Sequence, residues 1–214
     1  MRIVCLSDTH GRHKKIKNVP DGDVLVHAGD MTPRGDINDL RSFDNWLGRL
    51  PHRHKIIVSG NHDWCFFNKS SVARETITNA IYLEDSEIVI DGIKFYGSPW
   101  QPEFCDWAFN LPRGPALAEV WGRIPDDTNV LITHSPPFGS LDVVWNVRSS
   151  ENGMAVGCED LARRILNLEN LKLHVFGHIH CAYGEKIHNG IHYINASICT
   201  EEYEAKNEPI VTDI

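Results

Sequence analysis

Five short apolar runs, each ending in groups that bind metal or titrate, constrain this chain more than any other feature. They are RIVCLSD (2–8), DVLVHAGD (23–30), KIIVSGNHD (55–63), NVLITHS (129–135) and LKLHVFGHIH (171–180). Each is rich in Val, Ile or Leu and too short for a helix, which predicts strands buried on both faces. Helical periodicity lies between several of them, as in Ile37, Leu40, Phe43, Leu47 and Leu50 ahead of Pro51, and in Leu161, Ile165 and Leu168. Strand alternating with helix implies an α/β core. Two other stretches, SEIVIDGIKFYGSPW (86–100) and EKIHNGIHYINAS (185–197), each pair β-rich runs about an Asp-Gly or Asn-Gly turn, so antiparallel hairpins accompany the α/β units. Residues 97–115, rich in Pro and Gly and carrying Trp100 and Trp107, read as a long loop that shapes a site.

With 214 residues, 42% of them hydrophobic, the chain supports one core, and a single domain over 1–214 is expected. Six widely spaced cysteines without a C-x-x-C pair, and an N-terminus that enters strand-like sequence without a signal-peptide core, predict a reduced, cytoplasmic protein. No apolar run is long enough to span a membrane. A net charge of −8 disfavours duplex nucleic acid as a partner but not a phosphorylated small molecule, because bound divalent cations would reverse the local field.

The strand-end groups are Asp8 and His10, Asp30, Asn61 with His62 and Asp63, His134, and His178 with His180. Ligands of an open α/β sheet collect outside the carboxyl ends of its strands, so groups spread over residues 8–180 can converge. In an extended segment residues i and i+2 point the same way, so Asp8 with His10, and His178 with His180, are expected to face one crevice. Gly29, Gly60 and Gly177 each precede a ligand candidate, where a missing Cβ permits close backbone approach. Carboxylate, amide and imidazole donors without thiolate suit Mn, Fe, Zn or Mg and argue against a closed structural zinc site. The set exceeds the needs of one tetrahedral ion. If Asp30 bridges, Asp8, His10 and His180 complete one site, and Asn61, His134 and His178 the other. Two divalent ions about 3.5–4 Å apart would share a hydroxide and stabilise both the attacking and leaving oxygens of an in-line displacement.

The motifs DTH (Asp8, His10), GD (Gly29, Asp30), GNHD (60–63), TH (Thr133, His134) and GHIH (177–180) together resemble those of the calcineurin-like metallophosphoesterases, in the family's order and over most of the chain. The stretches SDTH, GSPWQPEFCDWAFNLPRG, THSPPFG and YINAS resemble its metallophosphoesterase-domain-containing branch, whose members act on cyclic nucleotides and related diesters. The resemblance implies an α/β fold, a four-layer α/β/β/α sandwich with two mixed β-sheets (the metallo-dependent phosphatase fold). It also implies two divalent metal ions, Mn foremost, held by Asp8, His10, Asp30, Asn61, His134, His178 and His180. His62 would contact the phosphate and donate a proton to the leaving oxygen, and Asp63 would orient or charge that imidazole. Two departures from the family pattern leave this set whole: Ser135 follows His134 where many relatives have glycine, and Asp63 stands where many have glutamate.

Arg12 and Arg34 are candidate phosphate clamps, since guanidinium matches phosphate oxygens in a bidentate way. Trp100, Trp107, Phe66 and Trp145 are either packing or walls of a leaving-group pocket. His27 reads as a core residue; His13 as a surface residue; His52, His54 and His174 as exposed or locally satisfied; His188 and His192 flank the Asn-Gly turn. No G-x-S-x-G, P-loop or H-E-x-x-H occurs, and no oriented Cys-His pair is visible around Cys65 or Cys181. The function expected is therefore a dinuclear phosphodiesterase for small diesters such as cyclic nucleotides, with a phosphomonoesterase or a non-catalytic metal-binding scaffold as the alternatives.

Overall fold

In the computed structural model, which describes residues 1–145 and 153–214, two sheets lie back to back. The strands, in chain order, are β1 (Arg2–Leu6), β2 (Val24–His27), β3 (His54–Ile57), β4 (Ile81–Tyr82), β5 (Ser86–Ile90), β6 (Ile93–Ser98), β7 (Gln101–Pro102), β8 (Asn110–Leu111), β9 (Val130–Thr133), β10 (Val143–Val144), β11 (Met154–Ala155), β12 (Leu173–Phe176), β13 (Gly184–His188), β14 (Ile191–Asn195) and β15 (Ile210–Asp213). The helices are α1 (Ile37–Leu47), α2 (Trp64–Asn68), α3 (Ser70–Thr76), α4 (Pro115–Trp121) and α5 (Glu159–Ile165). One sheet has the order β15-β1-β2-β3-β4, and the other β13-β14-β12-β9-β6-β5.

Strand alternation explains the layering. In β1, Ile3 and Cys5 face the second sheet while Val4 and Leu6 face α1; in β9, Val130 and Ile132 face inward while Leu131 packs under α4 and α5. Both faces of each central strand are therefore apolar, which is why the five runs read as continuous. Three cores result. The middle one, including Val24, Ile56, Phe95, Ile132, Val175 and Ile194, joins the sheets; Phe43, Leu47 and Phe66 cover one outer face, and Trp121, Leu161 and Ile165 the other. This is the expected α/β/β/α sandwich of mixed sheets.

The central strands are parallel, β1 to β4 in one sheet and β14, β12, β9 and β6 in the other. The antiparallel members are edge strands: β5 and β13 in the two hairpins, and β15 beside β1. The carboxyl ends of β1, β2, β3, β9 and β12 consequently open on one side of the molecule, and a parallel bridge between Ser7 and Ser197 ties the sheets together there. Helix α1 starts at Asp36, whose side chain accepts from the Asn38 amide at 2.7 Å, and closes at Gly48, so it stops short of the Leu50 suggested by periodicity. Leu50 instead belongs to a tighter turn bonded to Leu47, ahead of Pro51.

Three histidines lie deeper than the sequence suggested. His13 is buried edge-on to Phe43 and bonded to Ser42; His52 donates to the Pro20 carbonyl at 2.9 Å; His174 is enclosed by Phe176 and Tyr193 and bonded to the Thr133 hydroxyl at 2.8 Å. Each ring makes one hydrogen bond through Nε2 while its buried Nδ1 has no partner among the described residues, and burial pushes the His13 base down to about 4 and His174 to about 3, keeping both neutral. His54 is half-buried, and its Nε2 has no protein partner among the described residues. His27 is in the core, as expected, bonded to Thr9.

Phe95, fully buried between the sheets, is the sensitive point of the middle core. Phe95→Ala is expected to lower the unfolding free energy by about 3–5 kcal/mol, read from the urea midpoint at unchanged slope.

Candidate metal centre

All seven ligand candidates and His62 meet at the open strand ends. Asp8, His10 and His180 place one ligand atom each within 4.8 Å of one another; so do His10, Asp30 and His62, and Asp8, Asp30 and His134. Asp30 Oδ2 is central, 3.4 Å from His134 Nε2, 3.7 Å from His10 Nε2 and 4.0 Å from His62 Nε2. Asn61 Oδ1 faces His134 Nε2 at 2.9 Å and His178 Nδ1 at 3.0 Å, and His10 and His180 oppose each other, Nε2 to Nε2, at 3.2 Å.

Convergence does not come from the expected strand alternation. Asp8, His10, Asp30 and His178 all have left-handed backbone, with φ of 52°, 43°, 56° and 67°. Non-glycine residues rarely adopt that conformation, and a run of four at one cleft turns the side chains inward just where the strands end. Gly177 serves by close approach, since a Cβ there would overlap the Asp8 carboxylate and the Ser7 side chain. Gly29 combines both needs, with φ of 104° and His134 packed against it.

The hydrogen-bonding of the imidazoles fits a cation. Nδ1–H of His134 donates to the Ala28 carbonyl, Nδ1–H of His180 to Thr200, and Nδ1–H of His62 to Pro33, at 2.9, 2.9 and 2.7 Å. Each bond fixes the tautomer and aims the Nε2 lone pair into the cleft, the outer-sphere arrangement typical of metal-ligating histidine. Nε2 of His10 faces Nε2 of His180, and Nε2 of His134 faces Asn61 Oδ1, contacts that need a proton or a cation between the two atoms. Burial pushes the His10 base down to about 4 and His178 to about 3, so both are neutral, as ligands must be. Burial works against charge on His134 too, but Asp30 and Asp8 beside it prevail and raise it to about 9. Burial opposes ionisation of Asp8 and Asp30, yet the surrounding imidazoles hold both carboxylates below the usual range.

Asp63 does not meet the His62 ring. Its buried carboxylate accepts from the amides of Met31, Thr32 and Gly60 at 3.3, 3.0 and 2.9 Å, and from the Thr32 hydroxyl at 2.8 Å. It thus stitches the loop after β2 to the loop after β3, and the Pro33 carbonyl, not Asp63, orients His62. Burial and the neighbouring Asp30 push the Asp63 carboxyl up to about 6.

A cavity of about 460 Å³ opens over the cluster, within the roughly 300–1,000 Å³ usual for small-molecule sites. Phe104, Val144, Met154, Val156 and Ile179 give it apolar walls; Glu103, Glu201 and Arg113 are its charged groups beyond the cluster. Arg12 and Arg34 are not on its lining. The guanidinium of Arg113 is held by the Val156 and Gly157 carbonyls and by Glu159. Of the aromatics weighed from sequence, Trp107 lines the cavity, its indole stacked on His62 at 4.2 Å. Phe66 is core, Trp100 packs on Phe109 and donates to Asp85, and Trp145 is exposed outside the cavity. Sequence reasoning did not single out Tyr203, which lies in no motif, or Phe104, which lies within the 97–115 loop. Cys181 lines the cavity, but burial pushes its thiol up and it belongs to none of the metal-ligating clusters among the described residues.

If Asp63 is a structural tie, Asp63→Ala leaves buried amides without partners and is expected to cost at least about 3 kcal/mol of stability even in EDTA. Urea unfolding of the metal-free protein checks this; unchanged stability would reassign the residue to catalysis.

Comparison with known proteins agrees with the geometry. The calcineurin-like phosphoesterase family matches residues 1–182. Human Metallophosphoesterase domain-containing protein 1 is 42% identical over 236 aligned positions, covering 100% of this chain and 71% of the relative. UPF0046 protein T07D4.2 of Caenorhabditis elegans is 36% identical, covering 100% of this chain and 60% of its own. The crystal structure of TT1561 of Thermus thermophilus shares the fold, with a TM-score of 0.59, 17% identity and coverage of 91% of this chain and 88% of that one. With a buried carboxylate and imidazole cluster at its parallel strand ends, this chain belongs to the calcineurin-like metallophosphoesterases.

Proposed function

We propose that the chain is a dinuclear metal-dependent phosphodiesterase for small diesters such as cyclic nucleotides. The observation that carries this reading is the position of Asp30 Oδ2, between the Asp8, His10, His180 group and the group formed by Asn61, His134 and His178. A carboxylate oxygen shared by two donor sets is what a pair of ions about 4 Å apart requires. Oxygen and nitrogen donors without thiolate suit Mn²⁺, with Fe, Zn or Mg as substitutes. Divalent cations held there supply Lewis acidity and a water of lowered pKa.

The chain's own residues supply the remainder. Asp8, Asp30 and Asn61 would hold the cations against which the substrate phosphate is positioned. His62, its Nδ1–H fixed on Pro33 and its face supported by Trp107, acts through Nε2, which takes up a proton from solvent before passing it to the departing ester oxygen. The apolar walls accept organic groups around the phosphorus, and Glu103 and Glu201 disfavour the dianion of a monoester more than the monoanion of a diester. Six free cysteines, none in a disulfide, fit a reducing, cytoplasmic setting.

Purified protein analysed for metal and then assayed with bis(p-nitrophenyl) phosphate, p-nitrophenyl phosphate and cyclic nucleotides under Mn²⁺, Fe²⁺, Zn²⁺ and Mg²⁺ tests the reading. Two metals per chain and a diester preference are expected; no hydrolysis under any metal would favour a scaffold. His62→Gln is expected to lower kcat by about 10²-fold or more with metal content unchanged, and an unaltered kcat would remove His62 from the chemistry.

A further inference from the structure

Among the described residues, Tyr203 is the one bulky aromatic at the cavity held in left-handed backbone, with φ of 58°. Side chains with a Cβ are strained there, and such strain persists only where the surroundings enforce it. Here they do. A bridge between Cys199 and Ala205 closes a loop in which the Thr200 amide donates to the Glu204 carbonyl at 3.0 Å and the Tyr203 amide to the Thr200 carbonyl at 2.9 Å. The same Thr200 carbonyl accepts Nδ1–H of His180. At its base the loop is pinned by the Ile198 amide to the Ser7 carbonyl, next to Asp8. The bonds that aim His180 into the cleft therefore also aim Tyr203.

The ring stands over one side of the cluster, edge-on to His10 at 4.8 Å and to His180 at 5.5 Å, and 6.0 Å from His62. Forty per cent of the residue is exposed, and the ring forms part of the cavity wall. Phe104 stands near His178 and Trp107 lies on His62, so the three aromatics bound the cluster on different sides. Tyr203 also lies C-terminal to residues 1–182, the part matched by the family.

We infer that Tyr203 is a specificity-determining residue, the wall against which the second, non-departing ester group of a phosphodiester packs while His62 serves the departing one. This rests on the phosphodiesterase reading above and names the residue that separates diesters from monoesters. An aromatic ring fits the task because it offers a flat apolar face without adding charge near Asp8 and Asp30. The phenol oxygen has no hydrogen-bond partner among the described residues, so the ring, not the hydroxyl, is the working part.

Steady-state kinetics of the Mn²⁺-loaded protein on bis(p-nitrophenyl) phosphate and p-nitrophenyl phosphate test the assignment. Tyr203→Ala should raise the diester KM about tenfold with kcat within about threefold, while leaving monoester kcat/KM within about twofold; Tyr203→Phe should match the parent. Equal losses on both substrates, loss that follows reduced metal content, or no change on either would overturn it. A parent protein active on the diester isolates that failure from failure of the phosphodiesterase reading, which an inactive parent would signal. Thermal unfolding gives an independent check: Tyr203→Gly should melt above Tyr203→Ala, because glycine alone is unstrained at this φ. The opposite order would show that the loop does not impose the left-handed turn.

Discussion

Two carboxylates, Asp8 and Asp30, are buried where the two sheets meet, without lysine or arginine among their partners in the described residues. Ionised carboxylates removed from water are costly unless each oxygen is satisfied, and the structure around them answers that need. Asp8 Oδ2 takes the His178 amide and the Ser197 hydroxyl, from two segments of the second sheet, and Asp30 Oδ1 takes the His62 amide. The other oxygen of each points at imidazoles. Parallel strand order, close glycines and inward-turned histidines all serve to complete the surroundings of these two anions.

Surrounding them with short polar side chains and not with fixed positive ones has a consequence for the backbone. Arginine would reach a carboxylate from an ordinary strand, whereas short Asp, Asn and His side chains must be brought close by the main chain itself. Hence the left-handed turns at Asp8, His10, Asp30 and His178, each a local cost borne by the rigid sheets on either side. Asp63 shows how the cost is contained: it accepts four hydrogen bonds across two of these loops, holding Asp30 and His62 in register.

The fold and the convergence of the candidate ligands were legible for a common reason. A strand buried on both faces must be apolar throughout, so the polar residue that ends it stands out, and in a parallel sheet such ends share one side. The hairpins were equally plain from Asp91-Gly92 and Asn189-Gly190. What sequence did not reveal depends on neighbours far along the chain. His13, His52 and His174 are core residues because single partners, Ser42, Pro20 and Thr133, happen to face them. The partner of His62 is a backbone carbonyl, which every residue has and no motif marks. Pairing Asp8 with His10 by alternation gave the right outcome through the wrong geometry, because the strand has already ended.

Tyr203 lies furthest from what sequence could disclose, and its placement shows how substrate choice can vary on a fixed catalytic floor. The candidate ligands are set by five strand ends that cannot move without disturbing three cores. The walls come from the 97–115 loop, from the 199–205 loop and from Val144, Met154, Val156 and Ile179. Changes in these loops alter what fits above the ions while leaving the buried carboxylates undisturbed. The shared Thr200 carbonyl is the exception: because it holds both His180 and the turn of Tyr203, the wall on that side cannot be rebuilt independently of a candidate ligand. Substrate range on the Tyr203 side is therefore the more constrained, and diversity is expected to concentrate on the side of Phe104 and Trp107.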